Sequence, residues 1–308
     1  MIVTREELNK SRQKAVSYEL RRKKQKKIFM IIFKFIVIFS TLAIIFYSYN
    51  KYISTKMIIV REDRIVSSKI PSSFDGVKIV QFSDLHYGST IFIDDVKRLV
   101  KMINERKPDI VVFTGDLINK GYDLKSDEQE LLIKELTKIE AGISKYAITG
   151  EEDKEEFLTI FNQSGFSILN NDYDLVYNNS NEPILIVGVS SKLGLASDID
   201  KAYSYYNSEV YNSNIYTISL IHEPDLVNDI KDKYTTDLFL AGHSHNNSIN
   251  IPFLKSPYKI DGALTYNEEY YEIDNSKLYV SGGIGTNGYG IRLFCHPSFN
   301  FFRLATEE

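Results

Sequence analysis

Four of the five histidines in this 308-residue chain lie, together with two aspartates, in short motifs that each follow an apolar segment. Parallel strands of an open α/β sheet bring their carboxyl ends to one edge, so side chains that directly follow such strands are expected to meet there. Carboxylate oxygens and imidazole nitrogens are ligands that divalent cations prefer. The pattern therefore favours an α/β fold with a metal site at one edge. The motifs are Asp84-Leu85-His86, Gly115-Asp116, Ile221-His222 and Gly242-His243-Ser244-His245.

Apolar strands alternate with segments of helical spacing through most of the chain. Residues 78–82 and 109–113 read as buried strands, and residues 94–107 between them carry apolar side chains at helical spacing. This is a βαβ unit, and it would set the loops of Asp84 and Asp116 side by side. The further predicted elements are helices near 126–142, 153–163, 198–206 and 224–231, and strands at 145–149, 184–189, 215–221, 237–241, 270–273, 278–280 and 291–294.

Residues 28–48 supply 21 mostly apolar positions, enough for a helix to cross about 30 Å of hydrocarbon. A buried helix of a soluble protein is the alternative interpretation. A cleaved signal peptide fits less well, because the apolar stretch exceeds the usual length of about 7–15 residues and no small-x-small site follows it. We expect a transmembrane helix at 28–48, a stalk and edge strand at 49–75, and one globular domain at 76–308.

Residues 1–27 form a basic tail, with ten Lys or Arg against three Glu, a charge of +7. The whole chain has a net charge of −4, so the remainder carries −11, the difference between −4 and +7. By the positive-inside rule the tail stays in the cytoplasm and the acidic remainder lies across the membrane. We therefore expect a single-pass protein of the cell membrane with its domain outside the cytoplasm, and no nucleic-acid partner.

Taken together, the motifs resemble those of the calcineurin-like metallophosphoesterases, and specifically the membrane-associated bacterial branch of that superfamily. The family order is Asp-x-His, Gly-Asp, Gly-Asn-His-Asp/Glu, a lone His, then Gly-His-x-His. The resemblance covers about residues 58–303, and its third motif here is Gly150-Glu151-Glu152-Asp153. It implies a four-layer α/β/β/α sandwich, the metallo-dependent phosphatase fold, after the N-terminal transmembrane helix.

The same resemblance implies a centre of two divalent metal ions, which would be Mn, Fe or Zn. Asp116 would be catalytic as the ligand that bridges both ions, a role that suits a carboxylate because a neutral imidazole cannot bind two cations. A metal-bound hydroxide would then attack the phosphate ester. The remaining ligands implied are Asp84, His86 and His245 at one ion, and His222 and His243 at the other.

Glu151 and Glu152 depart from the family motif, which has Asn and His in their places. The family Asn ligates the second metal, and the carboxylate of Glu151 is also an oxygen ligand. The family His stands near the leaving group, so Glu152 is the candidate catalytic acid, although in its ionised form it would repel phosphate. Loss of a general acid typically costs about 10²–10⁴ in rate, and the metal centre carries the larger share. We therefore expect a slowed enzyme.

Arg292 follows a glycine-rich loop, residues 283–288, and the family has a similar loop followed by an arginine. The resemblance makes Arg292 a candidate for binding substrate phosphate, with a structural salt bridge as the alternative.

These expectations combine into a membrane-anchored phosphoesterase that hydrolyses phosphate monoesters or diesters, with a lipid or an envelope precursor as the substrate suggested by the anchor. The alternative is a catalytically inactive metal-binding or scaffold protein at the membrane, left after decay of the third motif. Retention of every other ligand argues against that alternative.

Overall fold

The computed structural model describes residues 5–194, 196–245, 248–249, 260–288 and 290–307. The chain divides into two compact units, Met1–Tyr49 and Asn50–Glu308. The first unit consists of the helix α1 (Arg5–Ser48), which buries none of its side chains. It contains an 18-residue window with a mean hydropathy of 2.7. By length and composition alone, α1 could cross a membrane, and the segment predicted to do so forms its last 21 residues.

In the part of the chain that the structure describes, the second unit is built on two six-stranded sheets. Short π-helical and 3₁₀-helical turns, Tyr49–Ile53 and Ser54–Lys56, lead into it. Its strands and helices, in chain order, are β1 (Ile59–Ser67), β2 (Lys78–Phe82), α2 (Ile93–Glu105), β3 (Ile110–Thr114), α3 (Ser126–Leu136), β4 (Ser144–Ile148), α4 (Glu155–Gln163), β5 (Ser167–Ile168), β6 (Asp172–Val176), β7 (Ile184–Gly188), α5 (Ile199–Ala202), β8 (Thr217–Leu220), α6 (Val227–Ile230), β9 (Leu238–Ala241), β10 (Tyr270–Ile273), β11 (Ser276–Val280) and β12 (Ser298–Thr306).

Strand order in the first sheet is β1-β12-β2-β3-β4-β5, and in the second sheet β10-β11-β9-β8-β7-β6. The strands from β2 to β5 are parallel, as are β7, β8, β9 and β11. Antiparallel pairs occur between β12 and β2, between β6 and β7, and between β10 and β11. Each sheet therefore has a parallel centre whose carboxyl ends can present loops at one edge.

Three apolar layers hold the unit together, and they confirm the predicted four-layer α/β/β/α sandwich. One layer packs the first sheet against α2, α3 and α4, with Val111, Leu99 and Phe161 fully buried in it. The middle layer joins the two sheets face to face, and the third packs α5 and α6 on the outer face of the second sheet. Both faces of the central strands are covered, so β3, β7, β8 and β9 are buried at every position and consist mostly of apolar residues.

The strand predicted at 291–294 is wrong. Phe294 has φ +55°, in the left-handed region that a strand does not use, and its side chain is 58% exposed. Leu293 makes an isolated bridge with Ile249. The last strand is instead β12, which the apolar pattern did not single out. The helix predicted near 126–142 ends early, at Leu136, and the segment predicted at 198–206 is a short helix followed by a 3₁₀ turn.

Candidate metal centre

The sequence motifs meet at the carboxyl ends of strands from both sheets. The loops after β2, β3 and β4 carry the acidic candidates and one histidine, and the loops after β8 and β9 carry the other three histidines. All of these side chains are buried except that of Glu151, which is 20% exposed. The residues brought together are Asp84, His86, Asp116, Glu151, Glu152, His222, His243 and His245.

Backbone strain is concentrated at these positions. Five of the predicted ligands have φ between +40° and +68°, a region that residues other than glycine rarely enter. Such conformations cost about 1–3 kcal/mol each and persist where the surrounding structure enforces them. The surrounding structure therefore holds these residues in backbone conformations that they would not prefer by themselves, as is typical of functional sites. The five residues are Asp84, His86, Asp116, His243 and His245.

One ligand group consists of Asp84, His86 and His245, whose candidate ligand atoms lie within 4.8 Å of one another. The Nε2 atoms of the two imidazoles face each other at 3.1 Å, and His245 Nε2 lies 3.6 Å from Asp84 Oδ1. The backbone N–H of His243 donates to both Asp84 oxygens, at 3.0 and 3.1 Å. The hydroxyl of Ser83 also donates to this carboxylate. Asp84 is thus fixed by a loop of the other sheet.

A second group consists of Glu151, His222 and His243. Glu151 reaches both imidazoles, with Oε2 at 2.6 Å from His222 Nε2 and Oε1 at 3.0 Å from His243 Nδ1. The other ring nitrogens donate to carbonyl oxygens, His222 Nδ1 to Thr114 and His243 Nε2 to Asp261, both at 2.7 Å. Since a carbonyl can only accept, these bonds hold one ring proton away from the group, so the neutral form of each imidazole would direct its lone pair towards Glu151.

Asp116 lies between the two groups. Its Oδ2 is 3.7 Å from His86 Nε2 and 3.4 Å from His222 Nε2. Its Oδ1 accepts from the backbone N–H of Glu152 at 3.0 Å, so the carboxylate is held in a fixed orientation. A single carboxylate oxygen between two ligand groups could act as a ligand in both groups.

The charges of neighbouring side chains show how the carboxylates of the centre are neutralised without cations. Burial opposes protonation of His86, but its contact with Glu152 and the charges of Asp116 and Asp84 raise its pKa to about 9. Against the same cost of burial, Asp116 and Glu151 raise the pKa of His222 well above its usual value. Protons on these imidazoles therefore compensate the carboxylates, in positions that cations could take over.

His245 differs from the other imidazoles of the centre. Burial, reinforced by the charges of His86 and Arg292, holds its pKa well below the usual value. A neutral imidazole is the form that binds a metal.

The donor set fits divalent metal ions. Two metal–nitrogen bonds of about 2.0–2.1 Å that meet between a right angle and the tetrahedral angle place their nitrogens roughly 2.9–3.4 Å apart, and His86 and His245 lie within that range. His222 Nε2 and Glu151 Oε2 are buried, close together and without a well-aligned hydrogen bond, as two atoms facing a shared cation would be. Imidazole and carboxylate ligands together suit divalent transition metals.

Glu152 sits behind His86. Its Oε2 lies 3.2 Å from His86 Nδ1 and accepts from the backbone N–H of Lys120 at 2.7 Å, and its Oε1 accepts from the side-chain amide of Asn287 at 3.2 Å. Candidate ligand atoms of Glu152, His86 and Asp116 also lie within 4.8 Å of one another. The acid role inferred for Glu152 from the family motif stays a prediction.

Asp153 is a structural member of the site that the motif comparison did not single out. Its carboxylate accepts from the backbone N–H groups of Asp116, Leu117 and Gly150, each at 2.8 Å. Burial and then the charge of Asp116 raise its pKa to about 7, against these three donors, which lower it. Asp153 thereby ties the loop after β4 to the loop that carries Asp116. Its place as the last acidic residue of the third motif was the available signal.

Arg292 is fully buried. Its guanidinium donates to the carbonyl oxygens of Gly282, at 2.6 Å, and Gly283, at 3.0 Å, and to that of Gly285. One nitrogen lies 3.4 Å from His245 Nδ1. Arg292 therefore braces the glycine-rich loop against the centre, and its contact with substrate phosphate stays a prediction.

The family model for calcineurin-like phosphoesterases matches residues 77–247, which include every candidate ligand. The chain belongs to the calcineurin-like phosphoesterase family. This membership agrees with the predicted resemblance, and it makes the chain a hydrolase that acts on phosphate esters.

Several relatives share most of the chain. YkuE of Bacillus subtilis, an uncharacterized metallophosphoesterase, is 31% identical over 85% of this chain and 91% of its own length. The UDP-2,3-diacylglucosamine pyrophosphatase LpxG of Chlamydia trachomatis is 26% identical over 72% of this chain and 81% of LpxG. A transmembrane protein with a metallophosphoesterase domain from Danio rerio is 24% identical over 73% of this chain, which spans only about half of that protein, 52%.

Proposed function

We propose that this phosphoesterase works with two divalent metal ions held between its two sheets. The observation that carries the proposal is the position of Asp116, whose Oδ2 lies within 3.7 Å of His86 Nε2 and within 3.4 Å of His222 Nε2. These two imidazoles belong to different ligand groups. One carboxylate that reaches both groups is the feature that a two-metal hydrolytic centre needs.

The two groups support the following ligand roles. When bound, Mn, Fe or Zn ions would polarise the phosphoryl oxygens and lower the pKa of the water that attacks phosphorus. The ring N–H bonds to Thr114 and Asp261 keep two imidazoles oriented, so little reorganisation is needed during the reaction. Asp84, His86 and His245 would hold one ion, Glu151, His222 and His243 the other, and Asp116 both.

Turnover is expected to depend on the leaving group. The family places an imidazole where this chain has Glu152, and a carboxylate that already accepts from Lys120 and Asn287 is poorly arranged to donate a proton. Esters with poor alkyl leaving groups need that proton, whereas nitrophenolate departs without it. The enzyme should therefore favour phosphoanhydrides and esters with good leaving groups.

The substrate side of the proposal is a phosphate ester or anhydride that is linked to a lipid or an envelope precursor. Helix α1 supports this choice, because a membrane anchor would confine the enzyme to the bilayer surface. The name of the relative LpxG, a pyrophosphatase for a diacylated sugar nucleotide, supports it as well. The basic charge of residues 1–27 favours a cytoplasmic N-terminus and an extracytoplasmic domain.

The test uses the purified full chain in detergent, stripped by a chelator and reloaded with Mn²⁺, Fe²⁺ or Zn²⁺. Hydrolysis is measured with p-nitrophenyl phosphate, bis-p-nitrophenyl phosphate and a lipid-linked pyrophosphate. Asp116→Asn should lower turnover by at least about 100-fold, since a charge that serves both ions is lost. The exposed Asp127→Asn on α3 makes the same chemical change and should keep wild-type turnover.

A protein that binds two ions per chain but hydrolyses none of these compounds would contradict the proposal. That result would favour the noncatalytic metal-binding protein instead.

A further inference from the structure

Glu152 connects three loops around the metal centre. Its side chain is only 6% exposed, although a carboxyl group is usually solvated. It accepts from Lys120, on the loop after β3, and from Asn287, on the loop after β11, and it lies against His86, on the loop after β2. A buried carboxylate with this many donors is built into the site and is not an incidental surface group.

The imidazole of His86 has one nitrogen on each side of this arrangement. Its Nε2 faces the centre, at 3.1 Å from His245 Nε2 and 3.7 Å from Asp116 Oδ2. Its Nδ1 faces away, at 3.2 Å from Glu152 Oε2. That contact is close but falls short of a well-aligned hydrogen bond. Contacts of this kind often tighten when the site is occupied.

We propose that Glu152 is a positioning residue, which accepts the Nδ1 proton of His86 and so directs the Nε2 lone pair of His86 at the metal. The inference rests on the proposed function, since it requires a metal ion at His86. In this proposal Glu152 acts on the metal ligand His86, whereas the family histidine in its place lies near the leaving group.

Comparison with the other ligands supports this role. His222 and His243 have their outer ring nitrogens fixed by the carbonyl oxygens of Thr114 and Asp261. His86 has a carboxylate in the corresponding place. A carboxylate partner orients the ring as a carbonyl does and in addition makes the ligating nitrogen more basic, and loss of such a partner typically costs about 10–100-fold in metal affinity.

The experiment measures Mn²⁺ binding to the full chain in detergent, with stoichiometry, dissociation constants and the electron paramagnetic resonance spectrum as readouts. Glu152→Gln keeps the shape and an acceptor oxygen but removes the charge, and Glu152→Ala removes all three. Both variants should still bind two ions. The dissociation constant of one ion should rise about 10–100-fold in Glu152→Ala and by an intermediate factor in Glu152→Gln, with a changed spectrum for that ion.

The matched control is Glu130→Gln on the exposed face of α3, which should bind Mn²⁺ as the wild type does. Wild-type dissociation constants and spectra in the Glu152 variants would overturn the inference and leave the proposed function intact. Complete absence of one ion from Glu152→Gln at saturating Mn²⁺ would also overturn it, since Glu152 would then be a direct ligand. If the wild-type chain binds fewer than two ions, the result would contradict the proposed function and, with it, this inference.

Discussion

Gly115 lets the loop of Asp116 pass close to the second ligand group. Its φ is +94°, and a Cβ at this position would lie 2.3 Å from His222 Nδ1 and 2.7 Å from the backbone nitrogen of Gly150. Gly115→Ala should therefore displace His222 and strain the backbone. We expect loss of the metal ion that we propose His222 binds, and a drop of about 1–3 kcal/mol or more in the free energy of unfolding. Metal content and urea unfolding measure the two effects.

Gly76→Ala is the matched control. Gly76 has a similar φ of +80°, but nothing lies within 4 Å of its added Cβ. This variant should lose stability through backbone strain alone and keep both ions. Equal metal loss in the two variants would show that the close packing of Gly115 against His222 does not matter.

At this scale the sequence predicts which residues form the site but not what holds them. Motifs such as Asp84-Leu85-His86 are local, so their residues and order can be read directly. The bond from His222 to the Thr114 carbonyl joins residues 108 positions apart, and any residue type could supply that carbonyl. The partners of Glu152 could not be predicted either, because they too lie far from it in the sequence.

Among the elements, β2 connects the two sheets through one polar side chain. Gln81 is fully buried, donates to the Ala241 carbonyl of β9 at 2.8 Å and to Thr114 at 3.2 Å, and accepts from Asn300 of β12 at 2.9 Å. Gln81→Leu would leave these buried groups without their partner. At about 1–3 kcal/mol for each unsatisfied group, we expect a loss of roughly 2–4 kcal/mol in the free energy of unfolding.

Urea unfolding of the full chain in detergent measures the loss. Gln163→Leu, at an exposed position near the end of α4, makes the same substitution without burying it and should change stability by less than about 0.5 kcal/mol. If both variants unfold at the same urea concentration, Gln81 is not an essential link between the sheets.

The elements that sequence reasoning found are those whose apolar pattern is enforced by burial on two faces, such as β3 and β8. Those that it missed lie at edges or depend on distant partners. β6 is an edge strand with an alternating, half-exposed pattern, and β5 has only two residues. The segment 291–294 is apolar enough for a strand, but Arg292 turns inward to bind loop carbonyls, and this interaction overrides the pattern.

For the molecule as a whole, metal removal should lower stability in a pH-dependent way. Ligand present at about 100 times its dissociation constant stabilises the folded state by roughly 2.7 kcal/mol for each ion. In the metal-free centre, the pKa of His86 is raised from 6.5 to about 9, so its contribution is complete below pH 6.5 and is lost as pH rises through about 9. The difference in stability between metal-loaded and chelated protein should therefore widen between pH 6.5 and about pH 9.

Thermal unfolding of the full chain with and without EDTA, at pH 6.5 and pH 9, measures this gap. If the difference in stability between loaded and chelated protein stays constant or narrows, the proton on His86 does not replace the charge of the cations.

Orientation in the membrane is the second prediction at this scale. The tail 1–27 carries +7, and the positive-inside rule keeps such segments in the cytoplasm. A reporter that is active only outside the cytoplasm, fused after residue 308, should therefore be active. Activity of a cytoplasm-only reporter at the same position would reverse the assignment.

The place of β12 in the first sheet has a consequence for the order of events during synthesis. Among the described residues β12 is the last strand, yet it lies between β1 and β2, which are the first two. Nine residues of β1 pair with nine of β12. Residues 298–306 must therefore emerge from the ribosome before β1 and β2 can pair with β12, so the sheet stays incomplete through most of synthesis and the partly made chain needs protection until then.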